Sequence, residues 1–413
     1  MMYKQRRQQV LANMQPYSMT IICSGIAPYK VGDEKYPFCV DRNFYYLTGI
    51  DRENMTLLLV KTPNGTQEAL FIERFDEWLA KWVGARMLPK EATEISGVHD
   101  VNYVEDLEGR VGSLLNYYGC EDFVVYGDFA KQEMNTDDTV AVKFVNKLKQ
   151  QYPWLVVKNI NKTLTDLRLK KDETEVEQLK KAISVTNEAI LNMMRHVKEG
   201  MNEAEVEAHF DFVLKKEQCG HAFNSIVAAG KNATILHYGQ NNTVIGANDL
   251  VLTDLGAAYK HYHADITRTF PANGKFTERQ KEIYEIVLGG NKHIIEYAKV
   301  GMTLRELNNE LIRYYEEKLP ATGLLKDGKT IRDYYFHGVS HMLGLETHDV
   351  QYADYRLEEG NVFTVEPGLY IEEENIGIRI EDDVLMTKDG CINLSSEIIK
   401  EVADIEAFMS QYE

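Results

Sequence analysis

The stretch VLTDLGAAYKHYHADITRTFP, Val251–Pro271, decides how this chain is read. An apolar run, Leu250-Val251-Leu252, leads into Asp254 and then Gly256, the pattern of a buried strand that ends on an acid. Asp265 then opens Asp-Ile-Thr-Arg-Thr-Phe, whose alternation and β-branched residues predict a second strand, antiparallel to the first across a turn near Tyr259 to His261. Two aspartates would then face each other across a hairpin. A buried carboxylate pair is unfavourable unless one is protonated, arginines neutralise it, or a cation lies between the two. The plainer alternative is that Asp254 caps a turn and Asp265 pairs with Arg268.

Working outward, the total of 413 residues exceeds one average domain, so two are expected, and 44% hydrophobic content is ample for two cores. The net charge of -18 argues against nucleic-acid binding, which needs a basic field, and nothing in the sequence concentrates a local basic patch. Five scattered cysteines, Cys23, Cys39, Cys120, Cys219 and Cys391, are odd in number and show no CxxC spacing. That usage fits a reducing cytoplasm and not a disulfide framework. The first residues, MMYKQRRQQVLANM, have no apolar signal-peptide core, and no run has the length of a membrane span, so a soluble cytoplasmic protein is expected.

Residues 1–164 alternate short apolar runs with helical stretches, with strands at Asn54 to Val60 and Phe123 to Tyr126 and helices around Glu73 to Arg86 and Thr139 to Gln151. This is a smaller N-terminal α/β domain with no His, Cys or acid cluster at ligand spacing. Trp78 and Trp82 lie four apart on one helical face, and Trp78 is expected in the domain's core. A boundary near Thr165 opens the second domain, 165–413. There Asp172 and Glu175 form a capping-box-like start to a helix that runs towards Gly200.

This second domain holds an internal repeat. Val197-Lys198-Glu199-Gly200-Met201-Asn202-Glu203-Ala204-Glu205-Val206 is echoed by Ala298-Lys299-Val300-Gly301-Met302-Thr303-Leu304-Arg305-Glu306-Leu307. In each copy a helix ends at Gly-Met, Asn202 or Thr303 caps the next, and a glutamate three later closes the box. Helix-Gly-helix units also recur by chance, but two copies each followed by strand-like segments point to a duplicated α/β half, whose pseudo-twofold cleft should draw ligands from both halves.

Three of the chain's eleven histidines, His337, His341 and His348, crowd one loop of the second half. Val362-Phe363-Thr364-Val365 is an apolar strand that leads to Glu366-Pro367-Gly368. In Ile376–Asp383, apolar and polar residues alternate, placing Arg379 and Glu381 on one face, where Glu381 pairs with Arg379 or joins a cation site. Four carboxylates and one imidazole are hard, oxygen-rich ligation. They favour two divalent ions of the manganese, cobalt or iron type over a structural zinc, in the arrangement that lets aminopeptidases activate water and polarise a carbonyl.

DLGAAYKHYHADITRTFP (254–271), HGVSHMLGLETHD (337–349), TVEPGLYI (364–371) and IGIRIEDD (376–383) resemble the metal-binding motifs of the pita-bread metallopeptidases, the group of aminopeptidase P and prolidase. The resemblance extends to NGKFTERQKEIYEIVL (273–288) and, less closely, to YPFCVDRNFYYLTGI (36–50) in the first domain. It implies an α/β chain whose C-terminal catalytic domain has the pita-bread fold, a duplicated α+β core with a pseudo-twofold. Asp254 is then terminal on one metal, His341 and Glu366 bind the other, and Asp265 and Glu381 bridge. Manganese is expected, with cobalt, iron or zinc as alternatives.

The resemblance also places His237 near the scissile bond, His337 and His348 along the substrate site where the oxyanion develops, and Arg379 in support of the carboxylates. It further implies that Glu366 is the general base. Trp82-Val83-Gly84-Ala85-Arg86 is similar to a family segment that projects a tryptophan into a neighbouring subunit's active-site mouth, so a dimer or tetramer is expected in which Trp82 walls the substrate cleft. The alternative for Trp82 is a place in the core. Met342, Gln351 and the short loop Glu372 to Asn375 depart from the family pattern at the cleft rim without removing a ligand.

The implied activity is removal of the N-terminal residue from peptides with proline second, a bond whose nitrogen offers no N–H. The rivals are prolidase action on dipeptides only, a non-catalytic pita-bread binding module, and a metal-free creatinase-type hydrolase.

Overall fold

The computed structural model describes residues 2–119, 122–131 and 133–412. Its Cα packing separates Met1–Leu167 from Arg168–Glu413, with the helix Asn161–Leu169 running across the division.

The first unit is built on a six-stranded mixed sheet in the spatial order Asp100–Tyr103, Gly65–Ile72, Thr56–Thr62, Ser18–Cys23, Val124–Gly127, Val156–Asn159. Its central strands read as near-continuous apolar runs because both faces are covered. Met19, Ile21, Leu58, Val60 and Phe71 pack with Val111, Leu114 and Leu115 of the helix Leu107–Tyr118 and with Val145 and Leu148 of the helix Val140–Gln151. The alternating Leu57, Leu59 and Leu70 are equally buried and belong to the opposite face.

The helix expected around Glu73 to Arg86 shortens to Glu77–Val83, capped by the Asp76 side chain, and none of its residues is buried. Trp78 is therefore not in the core: it is 66% exposed and Trp82 72% exposed, so the core alternative fails for both within this chain. On so short a helix the two rings lie on the same face and rest on each other, with centroids 5.5 Å apart, in place of a sheet.

In the second unit the repeat holds bond for bond. The helix Glu173–His196 starts at a capping box of Asp172 and Glu175, and its counterpart Glu278–Tyr297 starts at one of Thr277 and Gln280. Each is followed by a glycine with positive φ, Gly200 at 85° and Gly301 at 90°, a conformation that carries no Cβ penalty in glycine. Gly200 donates to Ile245 O and Ile245 back to Met201 O; Gly301 donates to Leu357 O and Leu357 back to Met302 O. Asn202 with Glu205, and Thr303 with Glu306, then box the helices Glu203–Lys216 and Leu304–Lys318.

Each half contributes a three-stranded antiparallel sheet, Ile226–Ala229 with Leu250–Leu255 and Ile266–Pro271 in the first, Val362–Val365 with Asp382–Thr387 and Gly390–Asn393 in the second. A separate hairpin, Gly368–Ile371 with Ile376–Arg379, accompanies them. One apolar core joins Ile190, Phe210, Val251, Phe270, Tyr284, Leu311, Phe363 and Ile378 from both halves.

Cys23, Cys39, Cys219 and Cys391 are unpaired, and Cys120 lies outside the described residues. Among the described residues no helix is long and apolar enough to cross a membrane.

Candidate active site

The antiparallel pair expected from Val251–Pro271 is present, with Asp254 opposite Thr267 and Leu255 opposite Ile266. Asp265 immediately precedes the second strand, so the aspartates are diagonal neighbours on one face and not directly opposed. The turn falls at Lys260 and His261, both at positive φ, the geometry of a tight hairpin tip. Asp254 is the fifth residue of its strand and does not cap a turn. Nor does Asp265 pair with Arg268, whose guanidinium turns away to Asp382 at 2.7 Å. At Gly256 a Cβ would stand 1.8 Å from Ala264 O, so only glycine lets the two strands close beside the acids.

The second half supplies the rest. The strand Val362–Val365 ends just before Glu366, and the His341 N–H is held by Thr364 Oγ1 at 3.2 Å. After Arg379 the chain changes partners: Gly368–Ile371 pairs with Ile376–Arg379, whereas Asp382 onward pairs with Val362–Val365. Glu381 sits in that break, its N–H on Thr267 O at 3.0 Å, and so enters the first half's aspartate face.

Asp254, Asp265, His341, Glu366 and Glu381 thus line one cleft of about 830 Å³, with His237, His337, His348 and Arg379 around it. His341 Nε2 is 3.3 Å from Asp265 Oδ2 and 3.5 Å from Glu366 Oε1. Ligand atoms of Asp265, His341 and Glu381 lie within 4.8 Å of one another. Arg379 Nη2 donates to Asp254 Oδ2 at 2.6 Å, while Asp254 Oδ1 is buried with no hydrogen-bond partner among the described residues.

One guanidinium faces four carboxylates, and three of them, Asp265, Glu366 and Glu381, are shifted upward in pKa. Burial pushes Asp265 well above the ordinary aspartate range, and Asp254 beside it adds to the push. Glu381 is pushed well up by burial and then by Asp265 and Glu366. Glu366 is pushed by burial up to about 7, although His341 and Arg379 pull it down. An orphaned carboxylate oxygen, hard donors and missing positive charge are together what a divalent-cation site requires, so the donor set fits metal.

The histidines divide by their surroundings. Burial, and then Arg379, draw His337 down to about 3, leaving a neutral ring whose Nδ1 lies 2.8 Å from Gly338 O and whose Nε2 lies 2.9 Å from Tyr370 Oη. The Nδ1–H tautomer satisfies both contacts, with Tyr370 donating. His348 is exposed at one side, and its pKa is lowered by partial desolvation of the ring within the cleft and then by His341, whose ring centroid is 4.3 Å away. His237 is exposed at the cleft wall beside Leu236. Trp82 belongs to the first unit and is not among the residues that line this cleft.

Residues 177–388 match the model of metallopeptidase family M24, and residues 3–126 match that of the aminopeptidase P N-terminal domain. The first match alone spans more than half of the chain. The chain belongs to metallopeptidase family M24.

The M24 match contains all five converging side chains and the three cleft histidines, and Trp82 lies in the N-terminal match. Among relatives, a Xaa-Pro aminopeptidase of Haemophilus influenzae is 34% identical over 99% of this chain and 97% of its own length. A solved Bacillus anthracis structure superposes with a TM-score of 0.97 at 44% identity, covering 100% of this chain and 98% of that one. Aminopeptidase P of Escherichia coli, solved with the inhibitor Pro-Leu, gives 0.89 at 31% identity with the same coverage. These M24 likenesses establish the two-domain pita-bread architecture.

Two further residues within the motifs take part. Thr267 donates to Glu381 Oε2 at 2.7 Å and accepts from Arg379 Nε at 3.0 Å. Tyr370 accepts from Arg379 Nη1 at 2.9 Å and reaches His337. The signal for Thr267 was in the period of two, which puts it on the same strand face as Asp265. Nothing in the local pattern distinguishes Tyr370 from a core tyrosine.

Proposed function

We propose that this chain is a divalent-metal-dependent Xaa-Pro aminopeptidase, which removes the N-terminal residue from peptides with proline in second position. The observation that carries this is the meeting of Asp254, Asp265, His341, Glu366 and Glu381 in one cleft, on a chain that matches a Xaa-Pro aminopeptidase over almost its whole length. Those five side chains would hold the metal, which we take to be two manganese ions. When bound, such ions supply Lewis acidity to a carbonyl and to water there.

The chain's own groups do the remaining work. Glu366 accepts a proton from water at a carboxylate oxygen and returns it to the proline nitrogen that leaves. His348, neutral and exposed, donates a ring N–H to the carbonyl oxygen as charge develops. With both nitrogens of His337 engaged, its ring serves as a wall against which the substrate is placed. His237 flanks the scissile bond from the opposite loop. Arg379 holds Asp254 directly and Glu381 through Thr267, so the carboxylates keep their places while protons move.

Catalysis is assigned to residues 165–413. The N-terminal domain, 1–164, contributes an assembly surface that makes the protein a homo-oligomer. Exposure of Trp82 supports this, since a partner's Trp82 would then wall the cleft and exclude water. We take the working compartment to be the reducing cytoplasm.

The test is hydrolysis, by protein loaded with Mn²⁺, of Xaa-Pro dipeptides and of tripeptides with proline second. Faster tripeptide cleavage is expected. Cleavage of dipeptides alone would make the enzyme a prolidase, and activity undiminished after complete chelation would remove the metal.

A further inference from the structure

Glu203 is a fully buried carboxylate outside the set described so far. It is the first residue of the helix Glu203–Lys216, which is already capped by Asn202 and Glu205, so the helix does not need it. The matching position of the second half carries Leu304, so the repeated frame does not need it either.

What it holds is a single segment. Oε1 accepts from the Ala229 N–H at 2.8 Å and Asn232 Nδ2 at 3.0 Å; Oε2 accepts from Tyr238 Oη at 2.8 Å and the Thr243 N–H at 2.9 Å. All four donors lie between Ala229 and Thr243, and charge-assisted bonds in a dry interior are the strong kind.

Apart from a short helical turn at Gly230–Thr234 that segment is irregular, and it carries Leu236 and His237 to the cleft. The His237 ring makes no hydrogen bond among the described residues, so the backbone on either side sets its position. On one side Tyr238 is buried against Ile226, Leu252 and Tyr370, its hydroxyl donating to Glu203 at 2.8 Å and standing at a longer 3.4 Å from Asn242 Oδ1 and Thr243 Oγ1. On the other, Ala233 is seated on Gly377, where a Cβ would stand 2.0 Å from Ala233 O.

The geometry points to Glu203 as a positioning residue: through Tyr238 it fixes where His237 stands in the cleft, and so how a peptide is held over the carboxylates. The inference rests on the peptidase reading, with His237 beside the scissile bond.

A double-mutant cycle on the metal-loaded enzyme tests it. Tyr238→Phe deletes one donor and little volume, and should lower kcat/KM for a tripeptide with proline second by ~5- to 10-fold, whereas the same change in a His237→Ala background should cost under ~2-fold. Glu203→Gln should behave likewise where it folds. Equal losses in both backgrounds, or none in Tyr238→Phe, would overturn the assignment. In the chelated, metal-free protein the His237 ring C–H resonances, expected to shift and broaden in Tyr238→Phe, give a second reading that needs no turnover. Unchanged resonances would sink the positioning role, whereas a wild-type protein inert on such peptides would sink only the peptidase reading.

Discussion

Arg379 does not pair with Glu381, two residues along its own chain; it bonds Asp254 from the other half of the domain at 2.6 Å and reaches Glu381 through the Thr267 hydroxyl. The arginine therefore ties the two halves together at the floor of the cleft. Arg379→Ala would strand Asp254, leave the Tyr370 and Thr267 hydroxyls short of a donor, and open a cavity. Breaking such a buried pair costs ~3 to 5 kcal/mol. Urea unfolding of the chelated variant should show that loss, and an unchanged midpoint would contradict the pairing.

Glu366→Gln keeps the side-chain volume but cannot accept the proton. A fall in kcat of at least ~10²-fold is expected, the lower scale for losing general-base help. Steady-state kinetics with elemental analysis on the same sample decides, because near-normal kcat with bound metal would remove Glu366 from its role.

Metal uptake should depend on pH through the same site. With Glu366 pushed to about 7 and Asp265 and Glu381 pushed well up in the metal-free site, protons must leave before these carboxylates can ligate. Cation affinity should rise as pH passes upward through 7 and weaken below it, with proton release on binding. Calorimetry in buffers of different ionisation heat measures that release, and a flat affinity from pH 6 to 8 would contradict it.

Asp349, next to His348, is buried between Lys171 Nζ at 2.9 Å and Arg168 Nη2 at 2.6 Å. Burial alone would raise its pKa, but Lys171 and Arg168 overrule it and hold the carboxyl below the ordinary range. A depressed folded-state pKa contributes stability above the unfolded value of about 3.9, which is lost as pH falls through the folded one. Asp349→Asn should cost ~3 to 5 kcal/mol at neutral pH and much less at the acid end. Chemical denaturation at pH 7 and near pH 3 should show the difference shrink.

Trp82→Ala should leave folding stability within ~1 kcal/mol, since the ring is 72% exposed in the chain. In a shared-site oligomer it should raise KM for proline peptides with little change in kcat. Light scattering that shows a fully active monomer would dismiss the shared site.

Much of this was legible because local signals and the fold agree. The capping boxes at Asp172, Asn202 and Thr303 depend on spacing within one turn, so sequence reveals them directly. Strand-end acids such as Asp254 and Glu366 follow from the length of the apolar run before them. What sequence could not disclose depends on partner choice across long separations. Arg379 and Glu381 alternate properly for mutual pairing, yet the chain breaks between two sheets at Ile380, and each finds its partner in the first half. Trp78 and Trp82 have the spacing of a buried face, but their helix has only seven residues and none of them is buried.

The division of the five side chains between halves has a consequence for biosynthesis. Asp254 and Asp265 leave the ribosome on a hairpin that can pair at once, whereas Arg379 and Glu381 emerge only after the whole second half has been made. Until then the aspartates stand on an open sheet in water, where their mutual repulsion is screened and cheap. Burying them is unfavourable before the late arginine arrives, so the nascent first half is held from closing early. Closure of the cleft is a contact of high sequence separation, the kind whose loop-closure entropy slows folding.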